Sequence, residues 1–98
     1  MAKIIWTEEA WRWLKDIHDY IAADNPTAAF TVVEGIYERA QILSQFPEIG
    51  HKYRSEPEGD IRILLYGHYR ITYLIRGLDR IDILGVFHGA LDIDRYLP

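Results

Sequence analysis

The sequence contains no cysteine, so neither a disulfide framework nor a Cys-based zinc site can hold the fold. The hydrophobic core must supply the stability unaided, and a reducing cytoplasm suits such a chain. There is no run of about 18 consecutive apolar residues, and the opening Met1-Ala2-Lys3-Ile4-Ile5-Trp6 lacks the apolar stretch and small-residue cleavage site of a signal peptide. Neither a membrane span nor secretion is expected. A basic excess is missing too. Eleven Lys and Arg face 15 Asp and Glu, a net charge of −4, which disfavours non-specific nucleic-acid binding through the overall field. The imbalance is confined to residues 1–50, with four basic and eight acidic side chains, whereas residues 51–98 carry seven of each, so any basic patch is expected in the second half. The four histidines lack the close helical or hairpin spacing of a metal site, and neither a metal nor another cofactor is expected.

What is present is the composition of one globular domain over residues 1–98, with 49% hydrophobic and 27% charged positions. Lys3-Ile4-Ile5-Trp6 is a short β-prone run ending at Thr7, a good N-cap, followed by Glu8 and Glu9, where a helix start favours negative charge. Ala10, Trp13, Leu14, Ile17 and Ile21 then recur at steps of three and four, which predicts an amphipathic helix to about Ala23. Asn25-Pro26 opens a second helix after a very short connection, forming an αα-hairpin whose second arm runs through Ala29, Val33, Ile36, Ala40 and Leu43 to Phe46-Pro47. Phe30, Val32, Tyr37 and Ile42 lie off its main stripe, so its apolar surface is wider than one contact requires. Such a helix is either nearly buried or covered by a partner.

Residues 47–60 form a polar stretch with two prolines and two glycines, read as a functional or mobile loop carrying His51, Lys52 and Arg54. Beyond it, Ile61–Tyr66, Tyr69–Ile75 and Arg80–Phe87 are β-branched and aromatic runs. The breaks between them are short enough to join only antiparallel neighbours, which predicts a meander. The fold class is α+β: an N-terminal αα-hairpin packed on one face of a curved antiparallel sheet, with Lys3–Trp6 as an edge strand and the other face open. One further helical turn is expected to start at Asp92. Alternation sends Arg70 to the open face. A two-residue turn at Gly67-His68 puts Arg62 opposite Arg70, whereas a one-residue bulge brings both arginines to one face.

With these elements in order, the chain resembles the RelE/ParE superfamily of toxins from type II toxin–antitoxin modules, over nearly its whole length. The resemblance rests on a hairpin containing Ile17-His18-Asp19-Tyr20-Ile21-Ala22 and Asn25-Pro26, then Pro47-Glu48-Ile49-Gly50, Arg62-Ile63-Leu64, Tyr69-Arg70-Ile71-Thr72-Tyr73 and Val86-Phe87-His88-Gly89. It implies a small toxin of a plasmid-stabilisation type of module, neutralised by a cognate antitoxin encoded beside it. The antitoxin is expected to cover the second helix or the open sheet, by adding a strand or laying an amphipathic helix in a groove. Whether the chain also forms a homodimer stays open.

The superfamily holds two activities. RelE-like members cut mRNA on the ribosome, which requires a base for the 2′-hydroxyl, an acid for the leaving oxygen and cations for the phosphate. ParE-like members bind and inhibit DNA gyrase. By resemblance, Arg70 matches the catalytic arginine of the RelE-like set, His88 falls near a catalytic histidine of some relatives, and Tyr96 near a catalytic tyrosine of others. The basic pair of the preceding strand falls on Ile61 and Ile63, which hold no phosphate. The favoured expectation is therefore the ParE-like branch, a gyrase-binding toxin rather than an enzyme. The alternatives are a ribosome-dependent endoribonuclease using Arg70 and His88, or a non-toxic relative that acts only with its antitoxin. Lys52, Arg54, Arg62 and Tyr96 are the candidate contacts to target or RNA.

Simpler readings accompany these. Arg70 can brace the sheet through Asp82 or Asp92, and His88 can fix a strand end by hydrogen bonding. His51, Lys52 and Arg54 can be a solvated loop. Trp6, Trp11 and Trp13 read as core or interface anchors, with Trp11 standing off the Ala10/Leu14/Ile17 stripe.

Overall fold

The computed structural model describes residues 1–97. In chain order, strand β1 (Lys3–Trp6) leads into helices α1 (Glu8–Ala22) and α2 (Pro26–Gln41) and a 3-10 turn (Ile42–Ser44). Strands β2 (His51–Glu56), β3 (Gly59–Tyr66), β4 (Tyr69–Arg76) and β5 (Arg80–His88) follow, and a second 3-10 turn (Ile93–Arg95) ends the described chain. The five strands form one sheet in the order β1-β5-β4-β3-β2, with β1 parallel to β5 and the remaining pairs antiparallel. The expected α+β architecture, a helical hairpin on one sheet face, is the observed one, but the sheet is mixed rather than antiparallel because β1 lies parallel to β5. No helix among the described residues is long and apolar enough to cross a membrane.

Local chemistry sets the helix starts. The Thr7 side chain accepts from the Ala10 N–H at 3.1 Å and donates its own proton to the Ile83 carbonyl at 2.8 Å, tying the start of α1 to β5. Asn25 caps α2 by accepting from the Ala28 N–H at 3.1 Å, with Pro26 in the first turn. The second helix stops at Gln41 rather than at Phe46; the chain tightens into the 3-10 turn, whose Ser44 hydroxyl donates to the Ala2 carbonyl at 2.9 Å.

The sheet departs from expectation in one element and settles one open alternative. Residues 47–60 are not a loop throughout, because His51–Glu56 pairs with β3 as an edge strand. Its exposed, charged positions suit an edge that must not pair further. The register between Gly67 and His68 is the two-residue turn: Tyr66 faces Tyr69 and Arg62 faces Tyr73. Gly67, at φ +57°, takes the first central position, where a side chain would be strained. Arg62 therefore lies on the hairpin side and Arg70 on the opposite side.

The main core forms between hairpin and sheet, where Ala10, Leu14, Ile36, Ala40 and Leu43 meet Leu64, Ile71, Tyr73, Ile81, Ile83 and Val86. A register shift opposite Thr72/Tyr73 leaves Leu84 as an extra residue of β5. That bulge lets Ile81, Ile83 and Val86, which are not spaced in twos, share the hairpin side. It also turns Gly85 and Phe87 to the other side. That side is not open as expected. Ile63, Phe87 and Ile93 bury one another there, with Trp13, Tyr53, Leu91 and Leu97 packed around them.

Candidate functional site

The face carrying Arg70 is built by β2, β3, β4 and β5 and covered by the C-terminal segment that follows His88. In register, Leu65, Arg70 and Phe87 lie side by side. The Phe87 ring lies over Gly85, where an added Cβ would strike it. Tyr96 stacks on that ring with centroids 5.8 Å apart, and Trp13 from α1 meets Phe87 and Tyr96 edge-on at 4.8 and 4.9 Å.

Arg70 is committed to this cover. One guanidinium nitrogen donates to the carbonyls of both His88, at 3.2 Å, and Leu91. These are backbone carbonyls, not the carboxylates of Asp82 or Asp92 considered as bracing partners. Asp82 is instead held by Arg76 at 2.5 Å and Arg80 at 2.8 Å. Burial pushes the Asp82 carboxyl up, but hydrogen bonds from Arg80 and Arg76 outweigh it and hold the group below its ordinary range. Asp92 caps the last 3-10 turn, accepting from the Asp94 N–H at 3.3 Å.

His88 stands exposed at the end of β5. Its Nδ1 accepts from the Ala90 N–H at 3.3 Å, and its ring lies 5.9 Å from Tyr69 and 6.3 Å from His68. Arg70 and His88 thus meet at the turn into the C-terminal segment, and Tyr96 packs on the Phe87 ring. Ile61 and Ile63 of β3 are buried, 1% and 2% exposed, and carry no charge to this face.

The remaining candidates divide between the two faces. Arg54 belongs to the C-terminal cover, with its Nε 2.5 Å from Glu56 and a guanidinium nitrogen 3.6 Å from Asp94. Tyr53, the extra residue of a bulge in β2, donates to the same Asp94 at 2.5 Å. That hydrogen bond, with burial behind it, pushes the Tyr53 phenol up. Lys52 pairs in register with Arg62 on the opposite side and lies 3.7 Å from Asp60. Arg62 donates to the carbonyls of Glu48 at 3.1 Å and Gly50 at 2.8 Å. Its register partner Tyr73 holds the same loop, donating to the Pro47 carbonyl at 2.6 Å and accepting from the Gly50 N–H at 3.0 Å. Burial raises the Tyr73 phenol.

Sequence reasoning missed Tyr53 and Asp94, the pair that fastens the C-terminal segment to β2. The only available signal was an isolated Tyr in a polar run, which carries no periodicity. Among the described residues no group of three or more His, Asp or Glu is placed to hold a metal ion.

A third feature lies on the hairpin. Trp11 stacks on Trp6 at 5.0 Å, and Tyr37 stacks on Trp6 at 5.7 Å and on Trp11 at 6.2 Å. Trp11 and Tyr37 are 47% and 41% exposed, and Phe30 is 66% exposed. The wide second helix is therefore not nearly buried: Val32 and Ile42 turn to the core, whereas Phe30 and Tyr37 face outward.

A model of the family described as the ParE toxin of the type II toxin–antitoxin system parDE matches residues 4–93. Among solved structures, the chain is similar to one described as the chromosomal ParDE TA system from P. aeruginosa. The match has 27% identity and a TM-score of 0.73, and covers 90% of this chain and 96% of the other. No curated protein matches the sequence.

Proposed function

This chain belongs to the ParE toxin family of type II toxin–antitoxin systems, and from that premise we propose that it acts by binding and inhibiting DNA gyrase, without catalysis, in a plasmid-stabilising module. The observation that carries the reading is the engagement of Arg70. A phosphate-cleaving site needs preorganised cations aimed at developing charge, and losing a single donor typically costs about a hundredfold or more in rate. Here the Arg70 guanidinium is spent on two backbone carbonyls. The positions on which the basic pair of the resembling ribonucleases falls are the buried Ile61 and Ile63, the neighbours of Arg70 in register are Leu65 and Phe87, and the C-terminal segment fills the face. That arrangement favours a recognition surface over a cleavage site.

The contacts we assign to the target are Lys52, Arg54 and Tyr96, which border the covered face and its β2 edge; Arg62 and Arg70 serve by holding backbone in place. A cognate antitoxin neutralises the chain, as the likeness to a ParDE assembly supports. The test is plasmid supercoiling by purified gyrase with the chain added. Inhibition that is relieved when the antitoxin is supplied supports the reading, and unimpeded supercoiling at saturating chain rejects it.

A further inference from the structure

Ala10 and Leu14 of α1 are buried in the core, and a neighbouring stripe of the same helix is not. Trp13, Asp16, Ile17, Tyr20 and Ile21 recur at i, i+3, i+4, i+7 and i+8, so they share one side of the helix. They overlook the start of β4 and the end of β5, where Tyr69, Val86, His88 and Leu91 form an opposite wall. The cleft between the two walls has a volume of 560 Å³, the size of a small-molecule site. Two of its three aromatic rings are already held: Trp13 lies edge-on to Phe87 and Tyr96, and Tyr69 lies edge-on to His88. Rings fixed in advance lose less entropy when a ligand binds.

The polar groups of the cleft are short of partners. Asp16 makes no hydrogen bond or ion pair among the described residues, because Lys15 beside it is held by Asp19 at 2.7 Å. The hydroxyls of Tyr20 and Tyr69 have no hydrogen-bond partner among the described residues either. His88 accepts from the Ala90 N–H at Nδ1, which leaves the ring proton on Nε2 as a donor. No Lys or Arg is among the described residues that line the cleft.

We propose that this cleft binds a small aromatic amine, with its ammonium group on Asp16 and its ring among Trp13, Tyr20 and Tyr69. Charge selects the cation. An acidic ligand would face Asp16 and the surrounding hairpin, whose residues 8–41 carry seven acidic and three basic side chains. The lining selects a flat body, since ring faces attract an ammonium group and stack on another ring. The Nε2–H of His88 suits an acceptor on the same ligand, such as a phenol oxygen. Leu91 belongs to the far wall, and its carbonyl is the one that Arg70 holds, so a ligand spanning from α1 to Leu91 adds a fastening to the C-terminal segment.

The test is titration of the purified chain with tyramine, followed by amide and indole NMR shifts. Two controls run beside it: hydroxyphenylpropionate, which has a carboxylate in place of the ammonium, and butylamine, which has no ring. Tyramine is expected to move the signals of Trp13, Ile17, Tyr69, His88 and Leu91 with a Kd of about 1 mM, and to slow hydrogen exchange at residues 89–91. Both controls are expected to bind about fivefold more weakly or worse. Asp16 and Tyr20 are exposed, so Asp16→Asn and Tyr20→Ala should keep the wild-type melting curve, and each should weaken tyramine about fivefold. In Asp16→Asn the preference for the amine over the acid should vanish too, which a loss of packing alone does not produce. Shifts outside the cleft only, no shifts at about 10 mM tyramine, unaltered exchange, equal affinity for either control, or unchanged affinity in either variant overturns the proposal. Concentration-dependent shifts of the same signals without tyramine give the cleft to a second copy of the chain and overturn it as well. None of these readouts involves gyrase, so this inference and the gyrase reading fail separately.

Discussion

Arg70 on β4 donates to the carbonyl oxygen of Leu91, so a strand side chain helps to close the C-terminal segment over the sheet. The same nitrogen reaches the His88 carbonyl, bridging the strand end and the turn beyond it. Arg70→Ala should cost about 1–3 kcal/mol, because two carbonyls lose a charged donor in a half-buried setting. It should also speed hydrogen exchange across residues 89–97 selectively. Arg70→Lys should recover only part of the loss, since an ammonium is more strongly hydrated than a guanidinium. Equal exchange rates in wild type and Arg70→Ala would show that Arg70 does not hold the segment.

Tyr73 and Arg62 act on a different loop. Tyr73→Phe removes the hydroxyl that bonds Pro47 and Gly50 and leaves those backbone groups without their buried partner. The expected loss is about 1–3 kcal/mol, read as a lower denaturant midpoint with an unchanged slope. A midpoint equal to the wild type would mean that water replaces the hydroxyl without cost.

Asp82 makes stability depend on acid. Its carboxyl titrates below the ordinary range in the folded chain, so the folded state binds fewer protons than the unfolded state as the pH falls. Its contribution is present above the unfolded-state pKa of about 4 and is lost as the pH falls through the lower folded-state value. Asp82→Asn should destabilise the chain by about 2 kcal/mol at neutral pH. The difference from the wild type should shrink in acid below pH of about 4. A difference that stays constant into acid would contradict the assignment.

Gly85 leaves room for the Phe87 ring, which Trp13 and Tyr96 hold from other sides. Gly85→Ala should therefore overpack this face and cost about 1–3 kcal/mol, with loss of the near-ultraviolet dichroism of the aromatic cluster. Retention of both would show that the ring has freedom to move aside.

The legible parts of the fold were those with strong periodicity or strong capping. Thr7, Asn25-Pro26 and the alternation of Tyr69, Ile71 and Tyr73 placed both helix starts and the central strands. β2 was hidden because His51–Glu56 contains one apolar residue, Tyr53, which is itself the bulged position, so no alternation survives. The cover on the Arg70 face was hidden for a related reason. Asp94, Ile93 and Tyr96 act through contacts with β2, β5 and α1 that are distant in sequence, and a single 3-10 turn carries no period of its own. Arg62 and Arg70 were identified as candidates from residue type. What each one holds, the 47–50 loop or the C-terminal turn, depended on register and on the path of segments without regular structure.

The central claim is that this chain inhibits gyrase by binding and does not cut RNA. Its most direct measurement sets two assays on one preparation of the chain: plasmid supercoiling by gyrase, and primer extension on mRNA held by translating ribosomes. The account predicts blocked supercoiling and intact mRNA. Codon-dependent cleavage of the mRNA, abolished by His88→Ala in a variant that retains its fold, would contradict it.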